Sequence, residues 1–155
     1  MDLGNLRKAW VELLVPHPWA VFVTLTFDRK RRQYAYARNP ERADKDFRRL
    51  IRFINEELYG KRWLRTTEHK GVIWARVQEC HHDGMLHYHA CFYSPTVAIT
   101  PALVRGLKDW WELKFGMARS EVPVSKRAVV EYLTKHVGNE ELAEFDLSHN
   151  FPQRE

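Results

Sequence analysis

The chain has 155 residues and a mass of 18.5 kDa, which fits one domain able to bury its own core. A hydrophobic fraction of 45% excludes a disordered chain, and no apolar run reaches the roughly eighteen residues of a membrane span. A net charge of +5 and a pI near 9.3 suit a polyanionic partner without requiring one. Two cysteines, Cys80 and Cys91, are too few for a disulfide framework.

The first half of the chain predicts a helix, a strand and a second, longer helix. Residues 6–14 predict the short helix, which a proline-containing segment ends. Residues 20–27 are rich in β-branched and aromatic side chains and predict a central strand. A basic loop follows over residues 28–39. Apolar residues then recur at helical spacing over residues 41–59.

The second half predicts a hairpin followed by two more helices. Strands at residues 71–79 and 86–93 are joined through Asp83-Gly84, a strong hairpin signal. The order of elements predicts an α+β fold with helices packed over an antiparallel sheet. The remaining elements are a helix to about residue 115 with Thr100 as N-cap, an edge strand at 118–124, and a helix capped by Ser125 that ends before Gly138.

The predicted hairpin carries three candidate metal ligands. His87 and His89 are separated by one residue, so their side chains lie on the same face of a strand. Glu79 ends the preceding strand and faces them across the tight turn. Two imidazoles and a carboxylate make a metal site with positions left open for a substrate. Such mixed ligands admit Mn, Zn, Co or Ni, and Mg where phosphate adds oxygens.

The same residues have plainer interpretations. The two histidines could be ordinary strand residues on a polar face, since a bare His-x-His is a weak signal. A structural zinc site using Cys80, His81 or His82 is disfavoured because no Cys-x-x-Cys is present. A register slip of one residue would put Gln78 on the metal face instead of Glu79. The charge of Glu79 favours it as the third ligand.

The last predicted helix carries a candidate nucleophile. Tyr132 lies beside the apolar stripe of that helix, where it can face a groove, and Lys135 lies three residues further on the same side. A free tyrosine has a pKa of about 10, so a nearby ammonium or metal ion would assist its attack. The plainer interpretation is a half-buried aromatic next to a solvated lysine. The combination with the metal ligands favours the catalytic one.

Three segments together resemble the HUH endonuclease superfamily, and within it the Rep-type initiators of rolling-circle replication that use a single catalytic tyrosine. They are residues 22–27 (Phe-Val-Thr-Leu-Thr-Phe), residues 79–89 with the metal motif, and residues 132–135 (Tyr-Leu-Thr-Lys). The resemblance implies a ferredoxin-like, RRM-like antiparallel sheet. It also implies a single nickase domain over residues 1–155, with its core at about residues 18–138, which could be the N-terminal part of a longer Rep protein.

The resemblance implies a metal-dependent DNA nicking endonuclease and ligase. It would cut single-stranded or stem-loop origin DNA, link a tyrosine to the 5′-phosphate and release a 3′-OH that primes replication. Mn²⁺ or Mg²⁺ is the expected cofactor, and a cytoplasmic location without a membrane partner is expected. A helicase domain beyond Glu155, or a helicase partner, would fit this role. The origin sequence, the replicon and the oligomeric state are left open.

Basic and aromatic residues predict two DNA contacts. Cations attract phosphates and aromatic rings stack on unpaired bases, which suits single-stranded DNA. A solvated loop is an equally good interpretation of the first segment. The candidates are Arg29, Lys30, Arg31, Arg32, Tyr34 and Tyr36 after the first strand, and Lys126 and Arg127 ahead of the tyrosine.

Four other functions compete with the Rep interpretation. A single-tyrosine transposase of the same superfamily commonly has a glutamine-like residue after the tyrosine, so Lys135 favours a Rep protein. Conjugative relaxases usually place the tyrosine near the N-terminus, whereas the first tyrosine here is Tyr34. A non-catalytic nucleic-acid-binding module would bind DNA without a covalent product. A metal-dependent hydrolase would use water as the nucleophile and leave the protein unmodified.

Overall fold

A computed structural model describes residues 2–28, 30, 39–80, 83–139 and 143–153. Five helices and five strands lie in these ranges. The helices are α1 (Leu3–Leu14), α2 (Pro40–Tyr59), α3 (Trp63–Thr66), α4 (Pro101–Lys114) and α5 (Lys126–Leu133). The strands are β1 (Val21–Leu25), β2 (Ile73–Cys80), β3 (Leu86–Tyr93), β4 (Ala118–Glu121) and β5 (Ala143–Leu147).

The strands form one five-stranded sheet in the order β4-β1-β3-β2-β5, and every neighbouring pair is antiparallel. This arrangement confirms the predicted α+β class with helices on an antiparallel sheet. The strand predicted at residues 118–124 does lie at an edge, although it ends at Glu121, before Pro123. A proline cannot donate a hydrogen bond to a neighbouring strand, which suits that place.

Helices cover both faces of the sheet, and alternation along the strands decides which side chains meet which helices. Along β1, Val21, Val23 and Leu25 pack into a core with α2 and α4. The intervening Phe22 packs against a second core formed with α1 and α5. In β3, Cys91 belongs to the second core and is fully buried, as its sequence context predicts.

The helix starts follow the capping rules that the sequence indicates. The Thr100 side chain accepts a hydrogen bond from Leu103 N, and Pro101 occupies the first turn of α4. The Ser125 side chain accepts one from Ala128 N at 3.1 Å. These contacts satisfy amide groups that a helix leaves unpaired at its start, and they confirm both predicted N-caps.

Helix α5 is shorter than the sequence predicts. It ends at Leu133, and residues 134–138 continue as turns rather than as helix. The Thr134 hydroxyl donates to Val130 O at 2.8 Å, and such back-bonding to the preceding turn competes with regular helical structure. Lys135 therefore follows the helix instead of lying on its face.

Two elements were not predicted. Helix α3 is a single short turn, and β5 alternates acidic and apolar residues over only five positions. Strand β5 is ordered by tertiary contacts, because it pairs with β2 and its Phe145 ring lies 5.3 Å from that of Trp10. No helix within the described ranges has the length and apolar character needed to cross a membrane.

Candidate active site

Strands β2 and β3 bring three potential metal ligands together on the face covered by α1 and α5. Glu79 lies directly opposite His87 in the antiparallel register, and His89 is two residues further along β3. One ligand atom from each residue lies within 4.8 Å of the others, and all three residues are buried. The predicted convergence of Glu79, His87 and His89 is therefore present in the fold.

The distances within this cluster fit a cation. Glu79 Oε2 lies 2.8 Å from His87 Nε2 and 3.4 Å from His89 Nε2. Ligand atoms about 2.0–2.2 Å from an ion, at angles between 90° and a tetrahedral value, are separated by roughly 3 to 3.5 Å. Glu79 Oε1 is buried and accepts no hydrogen bond from the described residues. A bound cation would satisfy that oxygen, so the donor set fits a divalent metal.

The strand register also decides between Glu79 and its neighbour Gln78. The side chain of Gln78 lies on the opposite face of the sheet, where its Oε1 accepts a hydrogen bond from the Tyr88 hydroxyl at 2.9 Å. Cys80 packs against the core on that same opposite face. Both are directed away from the histidines. His81 and His82, which sequence analysis weighed as zinc ligands, lie outside the described residues.

The carboxylate of Glu79 is held in its charged form. Burial alone would raise the pKa of this group, but hydrogen bonds from His87 and His89, together with the positive charges of His89 and Lys135, outweigh it and hold the pKa well below its usual range. A ligand that stays ionised at neutral pH does not need to lose a proton before it binds a cation. The imidazole of His136 lies nearby, with its Nε2 3.9 Å from Glu79 Oε1.

A threonine on the neighbouring strand orients one of the histidines. Thr24 in β1 pairs with His89 in β3, and Thr24 Oγ1 lies 2.9 Å from His89 Nδ1. This contact leaves His89 Nε2 directed at Glu79. Hydrogen bonds to the second ring nitrogen fix the tautomer and orientation of a metal-binding histidine. Sequence analysis missed this role, although the alternation of β1 already put Thr24 on the face of Phe22.

Tyr132 lies beside the cluster and remains accessible. Its ring centroid is 5.0 Å from that of His89 and 5.7 Å from that of Phe22, with both pairs nearly perpendicular. The residue is 43% exposed, whereas Val130 and Leu133 of the same helix are buried in the core. Helix α5 is thus anchored by its apolar side and presents the phenol to a surface groove, as predicted.

Lys135 lies close to Tyr132 by a different route from the one predicted. Although α5 ends before it, its Nζ lies 3.9 Å from the centroid of the Tyr132 ring. The ammonium is attracted to the face of an electron-rich ring. It also contributes to the low pKa of Glu79. The structure thus brings Lys135 into the neighbourhood of both the phenol and the carboxylate.

The predicted DNA contacts are only partly described. Arg29, Arg31, Arg32, Tyr34 and Tyr36 lie outside the described residues. The backbone amide of Lys30 donates to Asp28 Oδ1 at 2.8 Å. Lys126 and Arg127 are exposed at the start of α5, on the helix that carries Tyr132, and Arg127 is paired with Glu131 at 3.1 Å. These two cations are positioned near the candidate nucleophile.

Comparison with known proteins gives the family. A family of replication-associated proteins of the ORF2 type has a model that matches residues 20–141. The chain belongs to this family. The matched region includes the candidate ligands, Tyr132 and Lys135. Membership in this replication-associated protein family supports a role in initiating replication, and therefore contact with DNA. No curated protein and no solved structure matches the chain.

Proposed function

We propose that this replication-associated protein is a single-tyrosine HUH endonuclease that nicks single-stranded or stem-loop origin DNA to start rolling-circle replication. Residues 1–155 would form one nickase domain. The observation that carries the proposal is the position of Tyr132, half-exposed, with its ring 5.0 Å from that of His89 at the edge of a buried cluster of metal ligands.

The ligand set has a defined task in this proposal. Glu79, His87 and His89 would hold a divalent ion, Mn²⁺ or Mg²⁺, with Zn, Co or Ni as substitutes. Such an ion polarises a phosphoryl oxygen and stabilises the charge that develops on it. Thr24 keeps the ring of His89 in the orientation that this binding requires.

Tyr132 supplies the nucleophile. Its phenol oxygen loses a proton to solvent or a nearby base and forms a bond to phosphorus, while the bond from phosphorus to the 3′-oxygen breaks. The 3′-oxygen takes up a proton and leaves as a free hydroxyl. The 5′-phosphate remains attached to Tyr132 as a diester, so the reverse attack by a 3′-hydroxyl rejoins the strand.

The surrounding cations would assist this transfer and position the strand. The ammonium of Lys135 can stabilise negative charge on the attacking phenolate and on the phosphorus oxygens. Lys126 and Arg127 would contact neighbouring phosphates. The basic segment with Arg29, Lys30, Arg31 and Arg32 and its aromatic Tyr34 and Tyr36 would add phosphate contacts and base stacking.

A covalent-adduct assay tests the proposal. The protein is incubated with a pool of random single-stranded DNA and Mn²⁺, resolved on a denaturing gel, and digested for mass spectrometry. We expect nucleotide mass on the peptide that contains Tyr132. Tyr132→Phe should remove the adduct and retain DNA binding. Tyr59→Phe is the matched control, because that tyrosine bonds Ser94 and lies in α2, on the other side of the sheet.

Three results would contradict the proposal, and they differ from one another. Persistence of the adduct in Tyr132→Phe would show that another residue is the nucleophile. Cleavage with a free 5′-phosphate and unmodified protein would show that water is the nucleophile. Binding with a steep salt dependence, but without cleavage under any divalent metal, would show a non-catalytic binding module.

A further inference from the structure

A cavity adjoins Tyr132 on the side away from the metal ligands. It lies between the edge strand β4, strand β1 and helix α5, and has a volume of about 440 Å³. Its wall includes Phe22, Arg119, Glu121, Val122, Val124 and Tyr132. This volume is in the range of small-ligand pockets.

Strand pairing shows how the cavity relates to the metal cluster. Thr24 pairs with His89 on one side and with Arg119 on the other, so these three residues form one row across the sheet. In the next row, Phe22 pairs with Glu121. Paired residues of an antiparallel sheet point to the same face. Arg119 and Glu121 therefore lie on the face of the candidate ligands, two strands away from them.

The wall of the cavity is unusually apolar for a surface. Val122 is 60% exposed and Val124 is fully exposed, and both lie next to the accessible ring of Tyr132. Together with Phe22 they give a contiguous apolar wall. A contiguous exposed apolar surface of this kind, rimmed by charges, is typical of a binding site. An unpaired nucleobase has an apolar face that would cover such a wall.

The two charged residues of the cavity complement a nucleotide. Neither Arg119 nor Glu121 forms an ion pair with another residue in the described part of the chain. A guanidinium binds phosphate oxygens in a bidentate manner. A carboxylate accepts hydrogen bonds but donates none, so it favours a base with an exocyclic amino group, such as the N4 amine of cytosine.

We propose that this cavity binds one unpaired nucleotide next to the scissile phosphate and selects its base. The base packs against the apolar wall, Arg119 holds a phosphate, and Glu121 accepts a hydrogen bond from an exocyclic amine. Cytosine is therefore preferred over uracil or thymine, which present a carbonyl oxygen at the same position. The inference rests on the proposed function, because it takes single-stranded DNA as the ligand and places the cavity beside the attacking residue.

The test compares two strands that differ only in the group read by Glu121. Oligodeoxycytidine and oligodeoxyuridine, roughly twelve nucleotides long, have rings of equal size and no methyl group. Affinity is measured by fluorescence anisotropy at neutral pH, without divalent metal, so that no strand is cut. We expect oligodeoxycytidine to bind at least about fivefold more tightly, since one good contact to a base edge gives discrimination of this order.

Two variants separate base selection from phosphate binding. Glu121→Gln keeps the side-chain shape but can donate to the carbonyl of uracil, so the preference should fall to about onefold. Arg119→Ala should weaken both strands alike and reduce the slope of log affinity against log salt by about 0.7. Arg105→Ala is the control, because Arg105 is an exposed cation of α4, on the opposite side of the sheet, and should leave the preference unchanged.

Failure of this inference is distinguishable from failure of the nickase proposal. Equal affinity of the wild type for the two strands, no binding of either, or an unchanged preference in Glu121→Gln would overturn the cavity assignment. The covalent adduct on Tyr132 could still form in each of those cases. Conversely, a cytosine preference that depends on Glu121 supports the cavity even where no adduct is found, because the binding assay requires no chemistry.

Discussion

Replacing Thr24 by valine should weaken metal binding without rearranging the fold. Valine has the shape of threonine but no hydroxyl, so Thr24→Val removes the 2.9 Å contact with His89 Nδ1 and little else. His89 is buried, and its Nδ1 would lose this partner. The lost hydrogen bond should lower the free energy of unfolding by about 1 kcal/mol.

The effect on the metal should be larger than the effect on folding. Removing a group that orients a metal-binding histidine typically lowers metal affinity by about 10- to 100-fold, which is about 1.4–2.8 kcal/mol. Mn²⁺ affinity is measured by titration calorimetry on the wild type and on Thr24→Val. The Mn²⁺ concentration that gives half-maximal nicking should rise by a similar factor.

Thr26→Val is the matched control for this measurement. The Thr26 hydroxyl donates to Met117 O at 3.2 Å and makes no contact with a histidine, so a similar hydrogen bond is lost away from the ligands. Its metal affinity should equal that of the wild type. Unchanged Mn²⁺ affinity in Thr24→Val, or an equal loss in Thr26→Val, would refute the assigned role of Thr24.

Three further predictions concern the nucleophile, an ion pair and the core. Lys135→Gln should slow single-turnover nicking by about 100-fold, the cost of removing one group that stabilises developing charge, while calorimetry shows nearly unchanged metal affinity; an unchanged rate would exclude the role. Asp44→Asn should destabilise the fold by about 1–3 kcal/mol at neutral pH, because the buried Arg76 guanidinium loses its partner. Burial raises the pKa of Asp44, but its bonds to two arginines outweigh this and lower it, so the stabilisation is complete above the unfolded pKa near 4 and disappears as the pH falls through the folded pKa; urea unfolding at several pH values should show the variant and wild type converging in acid. Leu133→Ala should cost about 2–5 kcal/mol in the same assay because Leu133 is 1% exposed, whereas Leu113→Ala, at a 79% exposed site, should change stability by less than about 0.5 kcal/mol.

The metal cluster was predictable from the sequence because its geometry is local. A tight turn fixes the register of two neighbouring strands, and the period of two then puts His87 and His89 on one face with Glu79. Gly84 has a φ of 80°, a left-handed conformation that glycine adopts without strain. The hairpin signal therefore carried most of the information about these ligands, and it also excluded Gln78.

Features that depend on distant pairing could not be predicted in the same way. The contact of Thr24 with His89 and the position of Arg119 both require the register of β1 with strands far from it in sequence. Strand β5 has weak local signals and is ordered by its pairing with β2. The early end of α5 depends on a single threonine hydroxyl, which helix periodicity does not reveal.

The candidate ligands and the candidate nucleophile are held with different firmness. The ligands lie on β2 and β3, and β3 is the central strand of the sheet and buried on both faces. Tyr132 lies on a helix of only eight residues at the surface, followed directly by turns. Elements with few buried contacts open locally at lower free energy than a central strand does. This difference suits the proposed reaction, because a metal site must keep its geometry while the tyrosine moves toward phosphorus and away again during rejoining.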